Sequence, residues 1–167
     1  MPYRLRLEDF GASPVAGVNI ELKWVTRKGA KVDRVACPWL IAKFVDSEAE
    51  FLYVASEEVM PTSLSEGAIP YDVKDVELGD VDGRCSFESI IVKYGLTDSA
   101  LDRVAKIVHA ADIAADRNTC PESAGLFAIA SGFGLLHGDN DHEKIRLETP
   151  LYDALYAWCK TEVVQGR

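Results

Sequence analysis

Close-spaced cysteines are missing from this sequence. The four present, Cys37, Cys85, Cys120 and Cys159, stand far apart with no Cys-x-x-Cys pair, which argues against a zinc ribbon or a thioredoxin-type site. No cluster of Lys and Arg occurs, and the net charge of −9 disfavours a nucleic-acid partner, because neutralising phosphates needs a basic surface. The N-terminal stretch "MPYRLRLEDFGASPVAG" has no apolar h-region, so no signal peptide is expected. An uninterrupted apolar run of the roughly 18 residues that a membrane span requires is also missing. Without an export signal, the cysteines are expected to be thiols in a reducing cytoplasm. There is no internal repeat, no Gly-x-Ser-x-Gly elbow and no P-loop.

What is present is an ordinary globular composition, 48% hydrophobic and 27% charged, in a chain of 167 residues, long enough for one domain with a real core. "IELKWVTR" (Ile20–Arg27), "AEFLYVA" (Ala49–Ala55) and "AIPYDV" (Ala68–Val73) read as short strands. Asp33 is placed to cap a helix whose start is complicated by Pro38. A short helical piece falls around Pro61–Ser65, and "VELGDVDGRC" is a Gly/Asp-rich loop that delivers Ser86 as an N-cap to "FESIIVKYG". Thr97 or Asp98 caps "SALDRVAKIVHAADIAA", and Thr119 with Pro121 opens "ESAGLFAIASGFGLL". There Ala124, Ala128 and Gly132 fall four apart, spacing that lets a neighbouring helix approach closely. Thr149 and Pro150 are expected to break the last helix. The expectation is an α+β, predominantly helical single domain over residues 20–163, with two or three short strands near the N-terminal half. A flexible lead-in occupies residues 1–19.

The unusual stretch is "KVDRVACPWLIAKF" (Lys31–Phe44). Drawn as a helix, it sets Arg34 on the face of Cys37, Ile41 and Val45. Losing one partner of a buried ion pair typically costs ~3–5 kcal/mol, so the interior must supply a carboxylate or a bound anion. Glu88 is one candidate, three residues after Cys85 on a helix shoulder. The helix of His109 is another: Asp112 falls within about 40° of Val108 at ~100° per residue. Asp116 follows, so an imidazole and two carboxylates share one face. Joined by Glu88, they offer the nitrogen and oxygen donors of a divalent metal ion, with room for water. The alternative is a satisfied core histidine near a helix end. Cys37 near Arg34 and Cys85 after Arg84 are set for lowered thiol pKa values, or for inert packing. Asp139, Asp141, His142 and Glu143 read as a solvated loop and helix start.

Several long blocks carry a resemblance. "WVTRKGAKVDRVACPWLIAKFVDSEAEFLYV", "AIPYDVKDVELGDVDGRCSFESIIVKYGL" and "LYDALYAWC" resemble the chromate-resistance family, specifically the ChrB-type C-terminal domain in free-standing form, over about residues 22 to 160. The family's Asp-Arg-x-Ala-x-x-Trp-Leu-Ile motif falls on Asp33, Arg34, Ala36, Trp39, Leu40 and Ile41. Its Cys-[Ser/Thr]-Phe-[Glu/Asp] motif falls on Cys85, Ser86, Phe87 and Glu88. Relatives often carry His where this chain has Asp80, and aspartate is also a metal ligand. The resemblance implies a bacterial domain of chromate resistance or sensing, and no particular reaction.

Two readings follow. In the first, a cytoplasmic domain binds a divalent metal ion, an oxyanion, or both in a pocket between helices, with metal-dependent or redox catalysis as an extension. Asp80, Glu88, His109 and Asp112 hold the metal, while Arg34, Cys37, Trp39 and Cys85 face the small inorganic anion. In the second, the Arg34–carboxylate pair is purely architectural in a non-enzymatic sensor. That sensor would form a homodimer through an exposed apolar helix face, with the Tyr/Trp-rich tail able to serve there or in the core. Neither reading involves nucleic acid or a membrane.

Overall fold

The computed structural model describes residues 22–166. The lead-in expected over residues 1–19, and the first residues of the strand expected from Ile20, lie outside them. Three parallel strands, β1 (Lys23–Arg27), β2 (Glu50–Val54) and β3 (Ile69–Pro70), form a sheet in the order β2-β1-β3. β1 is central, so Trp24, Val25 and Thr26 are fully buried, as a parallel strand covered on both faces requires. Val25 packs with Val59 and Ala68 against α2 (Val59–Glu66). Trp24 faces the larger core, which holds α1 (Val32–Leu40), α3 (Ser86–Lys93), α4 (Ser99–Asp112), α5 (Pro121–His137) and α6 (Asp141–Val164). The fold is α+β and mostly helical, as expected. α4 lies at its centre, packed against α1, α3, α5 and α6. Among the described residues no helix is long and apolar enough to cross a membrane.

Several local expectations are corrected. α1 begins at Val32 despite Pro38, and the helix widens into a π-turn over Ile41–Val45 just after it. α6 runs unbroken through Pro150. Pro150 and Arg146 both lie on the exposed face, so the carbonyl that loses its amide partner is left to water, and Thr149 Oγ1 donates to the Ile145 carbonyl at 2.7 Å. Cys85 and Cys120, not Ser86 and Thr119, occupy the N-cap positions of α3 and α5. Asp98 does cap α4, accepting from the amides of Ala100 and Leu101. Ala124 and Ala128 face outward, and a Cβ built on Gly132 would meet nothing, so this stripe seats no neighbouring helix among the described residues. In the tail, Tyr152, Tyr156 and Cys159 belong to the core.

The acidic stretch read as solvated contains the clamp that positions α1. Asp141 is 2% exposed, and its two oxygens accept from the amides of Gly29 and Ala30 at 2.9 and 2.7 Å. Lys144 Nζ pairs with Asp141 at 2.9 Å and donates to the Ala30 carbonyl at 2.7 Å. Polar groups this deep are stable only when each finds a partner, and here they hold the β1–α1 turn against α6.

One turn further along α6, Glu148 is buried and its Oε1 has no hydrogen-bond partner. Burial pushes its carboxyl up to about 7, with Lys144 opposing the shift. The protonated form contributes stability that is complete near the usual carboxylate value and lost as the pH rises through about 7. Glu148→Gln should therefore match the parent protein in thermal unfolding at about pH 4 and exceed it at about pH 8 by on the order of 2 kcal/mol. A gap that stays constant with pH would contradict this assignment.

Candidate functional site

Ligands of parallel sheets gather at the C-terminal ends of the strands, and the polar groups of this chain gather there. Leaving β1, the chain turns at Lys28–Lys31 into α1 and brings Asp33 and Arg34 into the first helical turn. Leaving β3, it enters a loop that carries Asp72 and Asp80 to the same place. The loop is tightly built. Asp72, Asp75 and Asp82 have positive φ, a conformation that aspartate tolerates better than most residues. A Cβ on Gly79 would lie 2.4 Å from the Val73 carbonyl oxygen, so only glycine fits there.

Asp33 does not cap its own helix. It is 1% exposed, and its Oδ1 accepts from the Phe87 amide at the start of α3 at 3.2 Å and from the Cys37 thiol at 3.3 Å. Its Oδ2 is buried without a hydrogen-bond partner. Asp112, from the end of α4, faces the start of α1 near the Asp33 amide, which favours its charged form. Ser86 Oγ lies 3.2 Å from Asp72 Oδ1 and 3.5 Å from Asp80 Oδ1. Asp33, Asp72 and Asp80 each place a carboxylate oxygen within 4.8 Å of the other two.

Arg34 is the cation of this group, and its partner is neither Glu88 nor Asp112. Its Nε meets Asp72 Oδ2 at 3.1 Å, and its Nη1 donates to the carbonyls of Arg27 and Lys28. Arg34, with Arg27 acting on Asp72, does not offset the crowding. Burial, then the charges of Asp72, Asp112 and Asp80, hold the Asp33 carboxyl well above the usual range. Burial raises Asp72 to about 6 against the pull of Arg34. Asp112 is raised by burial and by Asp80.

A second set lies alongside. Glu88 Oε2 accepts from the Cys85 amide at 2.9 Å, closing the first turn of α3, and stands 2.7 Å from His109 Nδ1. His109 Nε2 stands 3.0 Å from Asp116 Oδ2. The two sets are electrically continuous, since the charge of Asp112 acts on Asp33, Asp72 and Cys85, and Asp112 in turn feels Asp80 and His109.

The four residues expected to share one metal thus divide between two sets. Asp80 joins Asp33 and Asp72, Glu88 meets His109, and Asp112 adjoins both. The anion-facing residues divide as well. Cys37 and Cys85 are fully buried, and burial with the Asp33 charge raises both thiols instead of lowering them. Trp39 stacks on Phe87 among Phe44, Tyr152 and Tyr156, its Nε1 donating to Asp153 at 3.0 Å. It stands in the aromatic core. Sequence reasoning assigned Asp33 to a cap and Asp72 to a strand, and so left both out of the site. The signal available was their place just past the ends of β1 and β3.

Residues 24–159 match the family described as ChrB, C-terminal domain. The chain belongs to the ChrB C-terminal domain family. This is the chromate-resistance family that the sequence blocks resemble. "Protein ChrB" of Cupriavidus metallidurans is 32% identical over 111 residues, covering 66% of this chain and 32% of that protein. The chain therefore spans about a third of the length of the ChrB relative it matches. No solved structure matches this ChrB-type domain.

In metal-free protein, burial opposes a charged His109, but the bonds to Glu88 and Asp116 outweigh it and raise the imidazole above its ordinary 6.5. Following the imidazole proton resonances through a pH titration should show this raised value, and Asp116→Asn should bring it back towards 6.5. An unchanged titration in that variant would mean that Asp116 does not hold the ring.

Proposed function

We propose that this chromate-resistance domain holds a hard divalent cation at Asp33, Asp72 and Asp80, with Asp112 beside them, and that it works in the reducing cytoplasm. The observation that carries the reading is the orphaned Oδ2 of Asp33, a buried carboxylate oxygen with no donor. Such a group is strongly unfavourable unless it is protonated or meets a cation. The remaining acids deepen the deficit, because four carboxylates crowd together with Arg34 as their nearest cation and Arg27 acting on Asp72 as well. An all-oxygen set of this kind suits magnesium or manganese better than zinc. Arg34 is committed to Asp72 and to two backbone carbonyls, so its part is to trim the charge of the cluster. In this reading the bound cation, not Arg34, is the group presented to an oxyanion such as chromate.

Calorimetric titration of the metal-free protein with manganese(II) tests the reading. Equimolar uptake is expected, with a gain in stability of about 2.7 kcal/mol when the free ion reaches about 100 times its Kd. Asp33→Asn keeps an oxygen for the Phe87 amide and should abolish uptake while the fold persists. Manganese that neither binds nor raises the Tm of the parent protein rules the site out.

A further inference from the structure

The second set differs in chemistry from the first. Cys85 Sγ, a Glu88 oxygen and a His109 nitrogen lie within 4.8 Å of one another, so sulfur, oxygen and nitrogen donors converge on one point. The backbone explains the convergence. Cys85 and Glu88 occupy the N-cap and third positions of α3, which turns both side chains to the same end of that helix. His109 reaches them from the last turn of α4. Its other nitrogen faces Asp116, supplied by the short 3-10 turn that follows, and this fixes the orientation of the ring. A carboxylate behind the imidazole is the arrangement that holds metal-bound histidines.

Solvent reaches the set from one side. Glu88 and His109 line a cleft of about 460 Å³ that extends to Lys106, Thr119 and Cys120, whereas Cys85 is fully buried and lies outside its lining. Three protein donors and one position open to a cleft is the pattern of a four-coordinate site that keeps water as its last ligand.

We propose that Cys85, Glu88 and His109 form a second metal site, selective for a borderline ion of the zinc(II) or cobalt(II) class, with Asp116 as a positioning residue. Ligation replaces the thiol proton of Cys85, which leaves to solvent as the sulfur–metal bond forms. The site shares no ligand with the all-oxygen set, whose donors favour harder ions.

Cobalt(II) alone, added to the metal-free full chain under reducing conditions, is the probe. The expected result is a thiolate-to-cobalt charge-transfer absorption that saturates at equimolar metal. Cys85→Ser should abolish it, and His109→Gln should remove tight uptake. Asp116→Asn should weaken cobalt affinity about 10- to 100-fold with the band retained at saturation, and the band should also survive Asp33→Asn, which removes no ligand of this site. Circular dichroism confirms the fold of each variant, and Asp116→Asn, a partly exposed position, serves if Cys85→Ser fails to fold. The site is overturned by cobalt binding without a thiolate band, or by a band that survives His109→Gln. A band that follows Cys37 in place of Cys85 overturns it too. Loss of manganese uptake in Asp33→Asn with the cobalt band intact separates the fate of this site from that of the first.

Discussion

The carboxylate of Asp33 is the constraint around which the rest is arranged. It leaves the first turn of one helix and ends at the first turn of another, so one buried carboxyl ties α1 to α3 beside the Trp39–Phe87 stack. The amide of Phe87 and the thiol of Cys37 satisfy one oxygen only. Favourable helix-end electrostatics contribute roughly 0.3–1 kcal/mol in exposed settings and up to ~2 when partly buried. Removing an unpaired carboxylate from water costs several times that. Helix ends therefore reduce the penalty without cancelling it, and proton or cation must supply the remainder.

The fold places this constraint where it can be useful. Parallel strands send consecutive helices away from one edge of the sheet, and the amides left unpaired at the helix starts point back towards that edge. Asp112 occupies the start of α1, and Asp33 with Glu88 occupies the start of α3. Acids thus come from three helices and one loop, and Asp33, Glu88, Asp72 and Asp80 are each held by a backbone donor or a serine. The buried Asp141–Lys144 clamp secures the turn before α1, which keeps Asp33 and Arg34 in register with the loop opposite.

The parts of this arrangement that helical spacing governs were legible in the sequence. The partial burial of Arg34 and the mostly helical α+β class follow from local periodicity and turn chemistry, whereas Asp116 reaches His109 from a 3-10 turn beyond the end of α4 and not along one helical face. What escaped were pairings between segments far apart in the chain. The choice of Asp72 over Glu88 as the partner of Arg34 depends on how a loop closes over Gly79, which no local pattern reports. The burial of Asp141 escaped for the same reason, since Asp and Glu at a helix start are ordinarily wet. Pro150 shows the opposite error, a strong local signal overridden because the affected carbonyl faces water.

The loop between β3 and α3 has a consequence for ion choice. Its residues in the left-handed region and its obligatory glycine mean that folding has already selected one backbone shape. Little conformational entropy is left to lose when a ligand arrives, and the rim has little freedom to contract or expand around it. For the cation proposed at this site, a rim of that stiffness would set ionic radius ahead of charge, favouring an ion that spans the gap between Asp72 and Asp80 without dragging the backbone along.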